Sequence, residues 1–161
     1  FHNSSGQEQG RRAGTENVIG IAGFGAACDA AWQELVTGVW DAVAEKRDRL
    51  EEALVAASKE TILVGKGAPR LPNTTCALTP GWKGETQVMA MDLAGFAISA
   101  GSACSSGKVR PSRVLRAMGY DEDDAASAIR ISLGPDNTDE DIARFADAWA
   151  EKRQKHRARA A

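Results

Sequence analysis

The stretch Ile129-Arg130-Ile131-Ser132-Leu133 alternates as a half-buried strand does, with three aliphatic residues on one side and Arg130 and Ser132 on the other. Directly after it, Thr138-Asp139-Glu140-Asp141 reads as a capping-box-like helix start. Ile142, Phe145, Ala146 and Trp149 then form an i, i+3, i+4, i+7 stripe along that helix. Working backwards, Pro111 suits the entry to a short helix, Ser112 to Met118, which Gly119 ends. Phe96-Ala97-Ile98-Ser99 reads as a strand running into a loop of small residues from Ala100 to Gly107. Gly84-Glu85-Thr86 opens a helix carrying Val88, Met89, Met91, Leu93 and Ala94, and before it lie two β-prone runs, Thr61 to Val64 and Asn73 to Leu78. The first third is helical. One alanine-rich helix starts at Thr15-Glu16-Asn17, with Thr15 as a cap, and breaks at Thr37-Gly38. A second runs from Val39 to Ser58, with Val43, Arg47, Leu50 and Leu54 on one face and i,i+4 pairs predicted for Glu45–Arg49 and Arg47–Glu51. Two helices followed by strands mixed with helices predict an α+β fold with a small, largely antiparallel sheet packed with helices.

Composition narrows the class of protein. The 161 residues carry 20 Lys+Arg against 22 Asp+Glu, a formal charge of −2, which argues against a broad nucleic-acid-binding surface. No window approaches 18 uninterrupted apolar residues, so no membrane helix is expected. Three cysteines at 28, 76 and 104 cannot build a disulfide framework, and a reducing, cytoplasmic setting suits them. The opening Phe1 to Ser5 resembles no secondary-structure element and is read as a boundary. The stretch Glu151 to Ala161 has five Lys/Arg against one Glu and reads as a solvated end, with docking of an acidic partner or RNA as the alternative. Gly20, Gly23 and Gly25 do not follow Gly-x-Gly-x-x-Gly and read as helix packing, while His2 and His156 are expected to have no catalytic role.

The chemistry concentrates in Ala100-Gly101-Ser102-Ala103-Cys104-Ser105-Ser106-Gly107. Cys76 sits among apolar neighbours and Cys28 on an alanine-rich helix face, the settings of structural thiols. Cys104 has only Gly, Ser and Ala beside it, with Lys108 and Arg110 close enough in sequence to favour the reactive thiolate. A nucleotide P-loop is excluded, because Gly101 and Gly107 enclose five residues and Val109 follows Lys108. A cysteine-dependent phosphatase needs Cys, five residues, then Arg, and Cys104 with Arg110 meets that spacing. Pro111 weakens it by removing a backbone N–H where phosphate would bind.

Three segments in order carry a resemblance. Gly6-Gln7-Glu8-Gln9-Gly10-Arg11-Arg12-Ala13-Gly14-Thr15-Glu16-Asn17, the loop Gly101-Ser102-Ala103-Cys104-Ser105-Ser106-Gly107, and Ile129-Arg130-Ile131-Ser132-Leu133-Gly134 resemble motifs of the cysteine desulfurases, pyridoxal-phosphate enzymes of the class V aminotransferase family. The small-residue loop is similar to the branch that supplies iron–sulfur assembly and tRNA thiolation. The resemblance implies that Cys104 is the catalytic nucleophile, taking sulfur from L-cysteine as a persulfide and releasing L-alanine. It implies that Arg130 binds the substrate carboxylate and that Thr15 donates to the phosphate of pyridoxal 5'-phosphate in the neighbouring subunit of a homodimer. It also implies transient iron–sulfur contact at Cys104 through the persulfide, and an iron–sulfur scaffold or other sulfur acceptor as partner.

The same resemblance implies the C-terminal small domain of a fold-type I enzyme. Residues 1–14 are then a remnant of the large domain's cofactor loop, 15–58 connecting helices, 59–150 the small domain and 151–161 a basic tail. The Schiff-base lysine of the family precedes the Gly-Gln-Glu motif, and Lys59, Lys66 and Lys83 lie in the wrong segments to replace it. The chain alone is therefore expected to lack desulfurase activity. An uncovered apolar surface is expected where the large domain would dock, and a non-enzymatic sulfur carrier is the third reading.

Overall fold

The computed structural model describes residues 6–101 and 112–160, which fall into two compact units, Phe1–Gly38 and Val39–Ala161. In the first unit, a 3₁₀ turn at Gln7–Gly10 leads to helix α1, Val18–Val36. The helix cap differs from the predicted one: Asn17, not Thr15, accepts from the Gly20 amide at 3.1 Å. Gly38 ends the segment with φ +77°, which explains the predicted break. No residue of α1 is buried. A Cβ on Gly23 or Gly25 would meet nothing, so these glycines do not serve packing as predicted.

The second unit holds α2 (Val39–Ala57), β1 (Ile62–Leu63), β2 (Thr74–Leu78), α3 (Gly84–Asp92), β3 (Ser99–Ala100), α4 (Arg113–Ala117), α5 (Glu122–Ala126), β4 (Ile129–Ser132) and α6 (Asp139–Ala160). The strands form one antiparallel sheet in the order β1-β2-β4-β3. The predicted α+β class with a small antiparallel sheet is what the chain adopts.

Alternation splits the core between the two faces of this sheet. Thr75, Ala77, Ile129 and Ile131 are buried on one side, where α2, α3 and α6 supply Leu50, Leu54, Met91, Phe145 and Trp149. Leu78, Leu115, Ala125 and Ala128 cluster on the other, with Cys76 half-buried among them. The predicted stripe of α6 is buried throughout, and the Thr138 hydroxyl and Asp141 carboxylate cap each other's backbone amides.

Several local expectations are corrected. Strand β3 begins at Ser99 rather than Phe96, and α5, capped by Asp121 on the Asp124 amide at 2.7 Å, is an element sequence reading missed. Neither i,i+4 pair of α2 forms. Arg47 instead bonds Asp48 and the Leu71 carbonyl, Arg49 reaches Asp139, and Glu51 takes Arg70. The stretch after Glu151 is helical to Ala160, and Arg153 within it is buried.

Candidate functional site

Strand β4 places Arg130 in the middle of the sheet, opposite Cys76 on β2 and Ser99 on β3. All three side chains share the face that Ile129 and Ile131 leave free, because successive residues of a strand point to opposite sides. A cavity of about 260 Å³ opens there, bounded by Cys76, Ser99, Gly101, Ser112, Met118 and Arg130 among others. Arg130 is the single charged residue among the described residues that line it. Its guanidinium is exposed and has no salt bridge or hydrogen bond among the described residues. A planar five-donor fork left open at an otherwise apolar cavity is shaped to take a carboxylate in two parallel bonds.

Cys76 is half-buried in packing, as expected, and it also lines the Arg130 cavity. Burial pushes its thiol up from the usual value, while the charge of Arg130 pulls it down. Only the pairing register brings the two together. Cys28, expected as a packed thiol, is exposed.

Gly101 and Ser112 are the described residues on either side of the segment that holds Cys104, and both line this cavity. Cys104 itself, with Lys108, Arg110 and Pro111, lies outside the described residues, as does the iron–sulfur contact expected at Cys104. The Cys104–Arg110 phosphatase pairing falls there too. Among the described residues no cluster of three or more His, Cys, Asp or Glu could hold a metal, and no helix is long and apolar enough to cross a membrane.

Thr15 belongs to the first unit. Arg12 organises its loop, donating to Glu8 at 2.9 Å, to the Gly14 carbonyl at 2.8 Å, to the Thr15 carbonyl at 3.2 Å and to Glu16 at 3.1 Å. The hydrogen bond with Glu8, aided by the charges of Glu8 and Glu16, holds the Arg12 pKa above its ordinary value. Gly10 and Gly14, at φ +80° and +88°, permit the turns this requires. The Thr15 hydroxyl makes no hydrogen bond among the described residues and sits just ahead of the α1 N-terminus.

The family model for class-V aminotransferases matches residues 2–145. A cysteine desulfurase of Enterobacter agglomerans is 44% identical over 127 residues, 79% of this chain and 31% of the relative. One of Gluconacetobacter diazotrophicus is 43% identical over 141 residues, 88% of this chain and 35% of the relative. The chain thus spans about a third of the length of the curated relatives it matches. The crystal structure of a NifS-like protein from Rickettsia africae superposes with TM-score 0.78 and 32% identity, covering 94% of this chain and 39% of that one. With the family match spanning both units and the sheet that carries Arg130, the chain belongs to the class-V aminotransferases.

Proposed function

We propose that this chain carries the substrate-carboxylate arginine and the sulfur-accepting cysteine of a cysteine desulfurase. Arg130 holds the carboxylate of L-cysteine, and Cys104 attacks its sulfur. The Cβ–S bond breaks, a bond forms between that sulfur and Cys104 Sγ, and the carbon takes a proton to leave L-alanine and a persulfide. The observation that carries the reading is the Arg130 guanidinium, without a partner among the described residues, at a mostly apolar cavity lined by Gly101 and Ser112 on either side of the segment that holds Cys104. The name cysteine desulfurase on relatives at 38–44% identity supports the same reaction.

The residues present fit pyridoxal phosphate at two points. The Thr15 hydroxyl, without a hydrogen bond among the described residues and ahead of a helix N-terminus, suits the phosphate of the neighbouring subunit's cofactor, and Arg130, separately, suits the carboxylate of the amino acid substrate. No lysine is among the described residues lining the Arg130 cavity. When bound, pyridoxal phosphate supplies the electron sink that C–S cleavage needs. We further propose a homodimeric, cytoplasmic enzyme in which 59–150 acts as the small domain. Its persulfide passes to an iron–sulfur scaffold or a tRNA-thiolating acceptor.

The test uses the desulfurase carrying this segment with bound cofactor. Arg130→Lys raises KM for L-cysteine about tenfold or more, since one charge-assisted bond of a bidentate pair is lost. Mass spectrometry finds the persulfide at Cys104 and not at Cys28. Unchanged kinetics in Arg130→Ala, or sulfur retained in Cys104→Ser, overturns the proposal.

A further inference from the structure

Away from the Arg130 cavity, and sharing no lining residue with it, lies a second cavity of about 340 Å³ between α3 and α6. Its floor is Trp82, which is 1% exposed and has ring contacts with Trp149 at 5.7 Å and His156 at 5.5 Å. The Trp149 indole donates to Gln87 Oε1 at 3.1 Å. The Trp82 indole Nε1 is buried with no hydrogen-bond partner among the described residues, and so is His156 Nδ1. Buried polar nitrogens are almost always satisfied in folded proteins, so two unpartnered ones on residues that line one cavity are unusual.

The rim is cationic and the wall apolar. Arg153 is spent, bonding Ser58, Glu60 and the Pro80 carbonyl, and Lys155 pairs with Glu151. Lys152 and Arg159, which also line the cavity, enter no salt bridge among the described residues. Leu93 on the opposite side is 87% exposed, and Ala90 lies below it. Burial first, then the charges of Arg153 and Arg159, lower the His156 pKa.

We propose that this cavity binds a small organic anion with an apolar body, its head group between Lys152 and Arg159 and its body along Leu93 and Ala90. Two cations without a salt bridge among the described residues are too few to track a polyanion backbone, which takes a longer run of contacts. The ligand therefore carries a single anionic head, such as a carboxylate.

The test titrates the 161-residue chain with octanoate, with acetate as head alone and 1-octanol as body alone, and follows the indole N–H resonances by NMR. The expected result is a saturable octanoate shift at Trp82, with none at Trp32 on α1, and much weaker effects from acetate and octanol. Lys152→Gln with Arg159→Gln weakens octanoate about tenfold, the loss of one charged hydrogen bond's worth of affinity. Leu93→Asn, a change at an exposed position, weakens it too, while an unmoved Trp149 resonance reports that the fold is intact. Octanol binding as well as octanoate, equal shifts at Trp32, or full affinity in the double variant overturns the proposal.

Discussion

Glu51 is a carboxylate with 2% of its side chain exposed, and it survives there because its oxygens are met on all sides. Arg70 donates to both oxygens, at 2.7 and 3.0 Å, and the Thr75 hydroxyl adds a third bond at 2.9 Å. Burial alone would raise its pKa, but the bonds from Arg70 and Thr75, with the charges of Arg70 and Arg47, hold it below the ordinary carboxylate value. Arg70→Met strands this charge and should cost about 3–5 kcal/mol in chemical denaturation, the range for a broken buried pair. Glu60 behaves alike: the hydrogen bond from Arg153 and one from its own backbone lower its pKa to about 2. A depressed folded pKa contributes stability that is complete above the unfolded value near 4.5 and is lost as pH falls through the folded one. Denaturation midpoints should therefore hold steady above that pH and drop toward pH 2, and Glu60→Gln should flatten the drop. Gly84 is constrained by space instead. A Cβ there would lie 2.4 Å from the Ala128 carbonyl oxygen and 3.1 Å from Ala100 Cβ. Gly84→Ala should cost about 1–3 kcal/mol, read as a lower melting temperature.

Between elements, Gln87 is the tie. Its amide donates to the Trp82 and Ser127 carbonyls at 2.9 Å each and accepts from Trp149, joining α3 to α6 and to the turn before β4. Gln87→Ala leaves two carbonyls and an indole unpaired in the core and should lower unfolding free energy by about 3 kcal/mol. Elements governed by local pattern were legible in the sequence: α1, α2, β4 and α6 follow from periodicity, caps and Gly38. The strand position of Arg130, on the side opposite the aliphatics together with Ser132, was legible for the same reason, whereas its role as a carboxylate site came only from the resemblance. What needed tertiary partners was not. The arginines of α2 bypass their i,i+4 neighbours for the Leu71 carbonyl and Asp139, and Glu51 accepts from Arg70 instead, because segments brought from far along the chain offer better geometry. Strand β3 is two residues set by pairing with β4 rather than by its own apolar run. Cys76 joins the Arg130 cavity only through strand register, which no single strand encodes.

At the scale of the whole molecule the two units differ in kind. The second has a core on each face of its sheet, whereas α1 in the first buries nothing and exposes Ile19 at 88%, Phe24 at 74% and Trp32 at 61%. A 19-residue helix supported only by its own hydrogen bonds is marginal in water, since helices gain most of their stability from packing an apolar face. Hydrogen exchange should therefore run fast along α1 and slowly in β2, β4 and the Trp149 turn of α6. Exposed apolar area of this kind drives association. The isolated chain should sediment as concentration-dependent oligomers, and Phe24→Glu with Trp32→Glu should return it to a monomer while leaving the exchange pattern of the second unit unchanged. A wild-type chain that stays monomeric at high concentration, with α1 as protected as β4, would mean that the helix finds its cover within the chain itself.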